Sequence, residues 1–336
     1  MRVAILGTGL IGGSIGAGLG EQDHEVVGWD PDGTHLADAL ERGLVGSIAS
    51  TPEKAIDGAE LVVLAGPPQA VLETAGSLET DALVMDIAGV KAPVLSVAQG
   101  RFVGTHPMAG REHRGPEHAS ASLFRGASWV VVPDGADPAD VDTVCGLVES
   151  LGAVPLRMSA ERHDAAVAAI SHLPQVVAGA LVHHAIEESD RLELASGSFR
   201  DLTRVALSDP GTWVQVLLAN AAEVAPQLRE LAGDLVATAD LVESGDADAI
   251  ADAMATARSE RQALAPPTAR VRVILADEPG ELGRVGQALA ESRVDVRDLQ
   301  LRHGRHGGGG VLTLSVRQGE SGTLASALEG QGFEVV

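Results

Sequence analysis

Arg2-Val3-Ala4-Ile5-Leu6-Gly7-Thr8-Gly9-Leu10-Ile11-Gly12 opens the chain, and its reading decides the fold. The five residues before the first glycine are apolar enough for a buried strand. The glycine pattern that follows is the turn by which a strand enters a helix over a dinucleotide pyrophosphate. Gly7 permits the tight turn, Gly9 lets the backbone approach the phosphates, and Gly12 lets helix and strand pack closely. Leu10 and Ile11 begin the helix whose N-terminus faces the ligand. A second apolar run at 25–29 completes a βαβ unit and ends at Asp30. An acid there accepts hydrogen bonds from the adenosine ribose and repels a 2′-phosphate. Pro31, Asp32 and Gly33 bring no adjacent arginine, so the expected cofactor is NAD.

Outward from this unit, apolar runs at 61–65, 83–87, 101–105 and 128–132 alternate with helical or loop segments, as in an open, mostly parallel sheet. Gly66 and Pro67 follow one of those runs at the carboxyl edge, where such sheets bind ligands. The expected Rossmann-like, NAD-binding domain covers 1–158. From 159 to 264 alanine, leucine and valine recur at helical spacing, which implies an all-α substrate and dimerisation domain, and hence a homodimer. Ala265-Pro266-Pro267-Thr268 reads as a linker. Residues 270–336 follow the order βαββαβ of a small α+β, ferredoxin-like domain, with a four-glycine loop at 307–310.

With 336 residues, 45% hydrophobic and 21% charged, the chain has the composition of a folded globular protein. A net charge of −23 argues against a nucleic-acid partner. No leader peptide and no run of transmembrane length are expected, so no membrane partner. Cys145 is the single cysteine, which excludes an internal disulfide and suits the cytoplasm. The adjacent His183 and His184 face about 100° apart on a helix and do not chelate one ion easily, and no metal is expected.

Five further blocks carry a resemblance: Asp86-Ile87-Ala88-Gly89-Val90-Lys91, Gly104-Thr105-His106-Pro107-Met108-Ala109-Gly110, Ser171-His172-Leu173-Pro174, Phe199-Arg200-Asp201-Leu202-Thr203-Arg204, and Ser208-Asp209-Pro210-Gly211-Thr212-Trp213. In order and spacing they resemble the prephenate and arogenate dehydrogenase family. The resemblance implies an NAD-dependent oxidative decarboxylation in tyrosine biosynthesis, giving 4-hydroxyphenylpyruvate from prephenate, or tyrosine from arogenate. It implies that His106 draws the proton from the substrate hydroxyl, a role suited to a histidine neutral near pH 7. It also implies that Arg204, with Arg200 one helical turn earlier, holds a substrate carboxylate. His172 resembles a pocket-lining residue. His163 falls at a familiar position, although a surface residue near a helix start reads equally well.

Two departures bear on the chemistry. Many relatives have a serine where this chain has Gly89, so His106 needs another partner, for which Thr105 or water is the expectation. Many prephenate-specific members have a histidine where this chain has Gln175, which brings arogenate or dual specificity into view, while Arg111 offers a compensating charge. Ala276-Asp277-Glu278-Pro279-Gly280-Glu281-Leu282 resembles the opening of an ACT domain, which implies an amino-acid effector, tyrosine, near Asp277, Pro279, Gly280 and Leu282. An NAD-binding redox sensor without catalysis is the more distant alternative.

Overall fold

The computed structural model describes residues 1–109, 115–186, 195, 197–264, 268–276, 278–303 and 309–336. Arg111 and Asp277 lie outside the described residues, as do Gly307 and Gly308 of the four-glycine loop. The chain divides into two compact units, Met1–Gly233 and Asp234–Val336.

The first unit is built on eight strands: β1 Arg2–Leu6, β2 Glu25–Trp29, β3 Ser47–Ile48, β4 Leu61–Leu64, β5 Leu83–Asp86, β6 Phe102–Pro107, β7 Ser128–Val132 and β8 Val154–Arg157. Their spatial order is β3-β2-β1-β4-β5-β6-β7-β8. Neighbours run parallel except β6 and β7, which pair antiparallel with His106 opposite Val130. Both faces are covered, so β1 is apolar from Val3 to Leu6: Val3 and Ile5 enter one core with Ile15, Leu19 and Trp129, and Ala4 and Leu6 enter the other with Val62, Leu64 and Val84. The strand order reverses direction between β1 and β4. The ligand crevice of such sheets opens there, at the carboxyl ends. Two strands escape the reading of the sequence because neither buries an apolar run: β3 is two exposed residues, and β8 is mostly exposed.

Helices then take over. Ala160–Val167, a π-turn at Ala168–His172 and Leu173–Ile186 form one continuous run. Pro174 explains the widened turn: it has no N–H to donate, and its ring would clash with a carbonyl one turn back in a regular helix. This run corrects the expectation about transmembrane lengths. By length and composition alone this 27-residue run, which contains an 18-residue stretch of mean hydropathy 1.7, is apolar enough to cross a membrane. After Asp164 only histidine, serine and glutamine interrupt the apolar residues of this run. After it come Gly197–Thr203, a 3₁₀ turn Arg204–Leu207, Pro210–Ala219, Ala221–Ser244 and Ala247–Ala263.

The second unit contains the four-stranded sheet β9 Thr268–Leu275, β10 Val296–His303, β11 Gly310–Arg317 and β12 Glu334–Val335, with helices Glu281–Ser292 and Ser321–Gly330. The sheet order is β10-β11-β9-β12 and its pairs are antiparallel. This is the ferredoxin-like arrangement that the βαββαβ order implies. Alternation in β9 buries Val271, Val273 and Leu275 against Val285, Ala288, Leu324 and Leu328 of the helices.

Candidate active site

The glycine turn is shaped by collisions that a side chain would cause. Gly7 has φ +109°, a left-handed conformation, and a Cβ there would meet the Ala65 carbonyl oxygen at 2.5 Å. A Cβ on Gly12 would stand 1.9 Å from the Gly7 oxygen. Gly9 differs: a Cβ would meet nothing within 4 Å, so its backbone borders open space, as a phosphate cradle requires. Leu10 and Ile11, half-buried, start the following helix. Asp30 Oδ2 accepts from Thr8 N at 2.7 Å, and Oδ1 accepts from Asp32 N at 2.9 Å. The half-buried acid is thereby fixed to the turn, with lone pairs left for ribose hydroxyls. Gly66 and Pro67 lie between β4 and the helix Pro68–Ser77, with Gly66 against the Gly7 turn. These residues fit NAD.

At the same sheet edge β6 delivers His106. The apolar run read from the sequence stops at 105, but His106 lies within the strand, half-buried, because pairing with β7 continues through Pro107. Its Nδ1 is 2.9 Å from His163 Nε2, and His163 Nδ1 is 2.7 Å from Asp164 Oδ1. Asp164 also accepts from the backbone N–H groups of Lys91 and Ala92, each at 2.8 Å. His163 and Asp164 are 1% and 3% exposed, so the surface reading of His163 is corrected. Ala160, His163, Asp164 and Val167 form the buried stripe of their helix, with spacing i, i+3, i+4, i+7. Two polar residues on such a stripe are the signal that sequence reasoning passed over.

Thr105 is not the partner of His106. It points the other way, as neighbours in a strand do, accepting from Trp129 Nε1 at 3.0 Å and donating to the Asp86 carbonyl. Beneath it Lys91, wholly buried, bonds Asp86 Oδ2 and donates to the Thr105 carbonyl at 2.6 Å. Asp86 accepts in addition from Ala88 N and Thr105 N. Gly89 stands over the imidazole: a Cβ there would lie 3.6 Å from His106 Nε2, in ordinary contact.

Burial holds the His106 pKa well below the usual histidine range, and the nearby His163, Lys91 and His172 act in the same direction. For Asp164 burial pushes the pKa up, but the bonds from His163, Ala92 and Lys91 outweigh it and leave it lowered. His172, in the π-turn, is brought down to about 4, chiefly by burial. Its Nδ1 lies 3.2 Å from Asn220 Nδ2, which also donates to the Asp164 carbonyl at 2.9 Å, and its ring meets Trp213 edge-on. Asn220, like Asp164, was not singled out in the sequence.

Arg200 and Arg204 are exposed. They do not share one α-helical face, because the helix ends at Thr203 and Arg204 opens the 3₁₀ turn. The Gln175 amide donates to the Val205 carbonyl at 2.9 Å, which lays that turn beside the helix following His172. Among the described residues no three His, Cys, Asp or Glu side chains form a metal-binding group. In the second unit Pro279, Gly280 and Leu282 are exposed, and Gly280 caps its helix with φ +97°.

A dinucleotide cradle and a half-buried, neutral imidazole at one sheet edge define an NAD-dependent oxidoreductase. Residues 19–156 match the nucleotide-binding domain of prephenate dehydrogenase, and residues 159–256 match its dimerization domain. The chain belongs to the prephenate dehydrogenase family. It is 29% identical to the prephenate dehydrogenase of Bacillus subtilis, over 93% of this chain and 91% of that one. It is 31% identical to the cyclohexadienyl dehydrogenase of Zymomonas mobilis, over 78% and 96%. The crystal structure of prephenate dehydrogenase from A. aeolicus in complex with hydroxyphenyl propionate and NAD+ aligns with a TM-score of 0.72 at 27% identity, over 79% of this chain and 99% of that one.

Proposed function

We propose that the chain oxidises prephenate to 4-hydroxyphenylpyruvate and carbon dioxide, with His106 as the base. NAD supplies the hydride acceptor; the rest falls to the protein. The observation that carries the reading is the half-buried His106 at the carboxyl edge, kept neutral by burial and held through Nδ1, which leaves Nε2 to take the hydroxyl proton. Arg204, assisted by Arg200, binds the ring carboxylate, while His172, Gln175 and Arg111 border the side-chain end. The 1–158, 159–264 and 270–336 segments serve as cofactor, substrate and effector domains. Large apolar side chains exposed on the helices of the substrate domain, Ile170, Leu202, Leu207, Val214 and Leu218, support a homodimer, as does the match of residues 159–256 to a dimerization domain. Tyrosine at the Pro279-Gly280 turn would provide feedback, and the reaction belongs in the cytoplasm.

A second reading, arogenate or dual specificity, is favoured by Gln175. Its amide is neutral and already committed to Val205, so it offers a keto-acid side chain less than an imidazolium would. Near-ultraviolet absorbance of NADH, followed with each substrate and each nicotinamide, tests both readings. Prephenate with NAD is expected to react fastest; a higher kcat/KM with arogenate establishes the second, and no NADH from either returns the chain to a sensor role. A tyrosine titration during the same assay tests feedback, which fails if activity is unchanged at millimolar effector.

A further inference from the structure

Hydrogens can be assigned along the row of groups behind His106 from the chemistry of their partners. Asp164 is an acceptor to two backbone N–H groups, so the ring nitrogen facing it, His163 Nδ1, carries a hydrogen. A neutral His163 then has an acceptor at Nε2, and the contact with His106 Nδ1 requires that nitrogen to donate. His106 Nε2 is left with a lone pair. No side chain stands at Gly89 to hold that side of the ring, so among the described residues the orientation and tautomer of His106 rest on His163.

The row has a second consequence. Among the described residues, the other charged or titratable groups acting on His106 are Lys91 and His172, and neither is an anion. An imidazolium at the half-buried His106 would therefore have no described carboxylate beside it, whereas His163 touches one. We propose that His163 and Asp164 are positioning residues that also take over the proton charge: as His106 Nε2 accepts the substrate proton, the hydrogen on its Nδ1 passes to His163 Nε2, and the positive charge rests beside Asp164.

The step balances. The substrate O–H bond breaks and N–H forms at His106 Nε2; N–H breaks at His106 Nδ1 and forms at His163 Nε2. The substrate's hydride goes to NAD, the acceptor of the family's established reaction. When the C–CO2 bond breaks and the ring becomes aromatic, its electron pair returns to the oxygen, and both hydrogens move back. No proton is consumed or released by the pair. Buried proton sharing of this kind lets a histidine with a depressed pKa act as a base without holding the charge itself.

The inference rests on His106 being the base, and its test separates the two ideas. Nitrogen NMR of the imidazole rings in the free, full-length protein is expected to show hydrogen on Nδ1 of both His106 and His163 near neutral pH; hydrogen on His106 Nε2 overturns the relay whatever the activity proves to be. His163→Gln keeps an acceptor facing His106 but cannot take a proton. Its single-turnover rate of NADH formation is expected to fall about 10- to 100-fold, with NAD affinity retained and a curved proton inventory becoming linear. A rate within about twofold of wild type and an unchanged inventory would sink the proton transfer while leaving His106 as the base, whereas wild-type activity in His106→Ala would remove the base itself.

Discussion

Lys91→Met tests what holds the catalytic edge of the sheet together. Lys91 and Asp86 are both fully buried, and the ammonium ties the end of β5 to the Thr105 carbonyl on β6, next to His106. Burial alone lowers the Lys91 pKa, and Asp86 draws it back up, so each charge depends on the other. Removing one partner of a buried pair costs about 3–5 kcal/mol, because the remaining charge is left uncompensated. Asp86 keeps its bonds from Ala88 N and Thr105 N, which favours the lower end, about 3 kcal/mol. For a unit of this size that corresponds to a Tm lower by about 6–12 °C. Urea unfolding followed by tryptophan fluorescence reads the first unit selectively, since Trp29, Trp129 and Trp213 all lie in it. Adding Asp86→Asn to the variant removes the stranded charge and is expected to recover part of the loss. A single-variant loss below about 1 kcal/mol, or a double variant that loses the sum of both singles, would refute this account of the pair.

Gly9→Ala is expected to fold normally but bind NAD about tenfold or more weakly, whereas Gly12→Ala, with its Cβ forced against the Gly7 oxygen, is expected to yield little folded protein; calorimetric NAD titration and thermal melts distinguish them. Asp30→Ala should narrow the preference for NAD over NADP, which a comparison of the two affinities measures. Acid should weaken the fold through His172: unfolded, it takes up a proton near 6.5, but folded it does so only at about 4. The unfolded state therefore binds more protons between those values, so this stability is present above 6.5 and is lost as pH falls toward 4. The loss is at most about 3 kcal/mol, and His172→Asn should flatten the dependence in urea melts across that window.

The dinucleotide half of the fold is legible because both of its signals are local. A buried parallel strand is a continuous apolar run, and the glycine spacing follows it directly in the chain, even though the collision that requires Gly7 is with Ala65 at the end of β4. The C-terminal unit is legible for the same reason, since alternation in β9 marks its buried face. What escaped is non-local. β8 is exposed and joins the sheet only through its pairing with β7, so no apolar pattern announces it. The strand carrying His106 ends where antiparallel pairing ends, which the residues alone do not mark. The π-turn changes the angular position of everything after Ala168, and the break at Thr203 separates Arg200 from Arg204 in direction. Helical spacing presumes regular helices, and this site sits where they are irregular. His163 was visible but undervalued: its meaning depends on Asp164 beside it and on β6, 57 residues earlier in the chain.

Single-turnover kinetics of His106→Asn, with NAD already bound, bears most directly on the base. The asparagine keeps a polar side chain in the strand and removes the imidazole nitrogen that faces Gly89. NADH formation is expected to fall about 10²- to 10⁴-fold, with the dissociation constant for NAD unchanged. A rate within a few-fold of wild type would mean that proton removal occurs elsewhere, and that the imidazole at the end of β6 only packs.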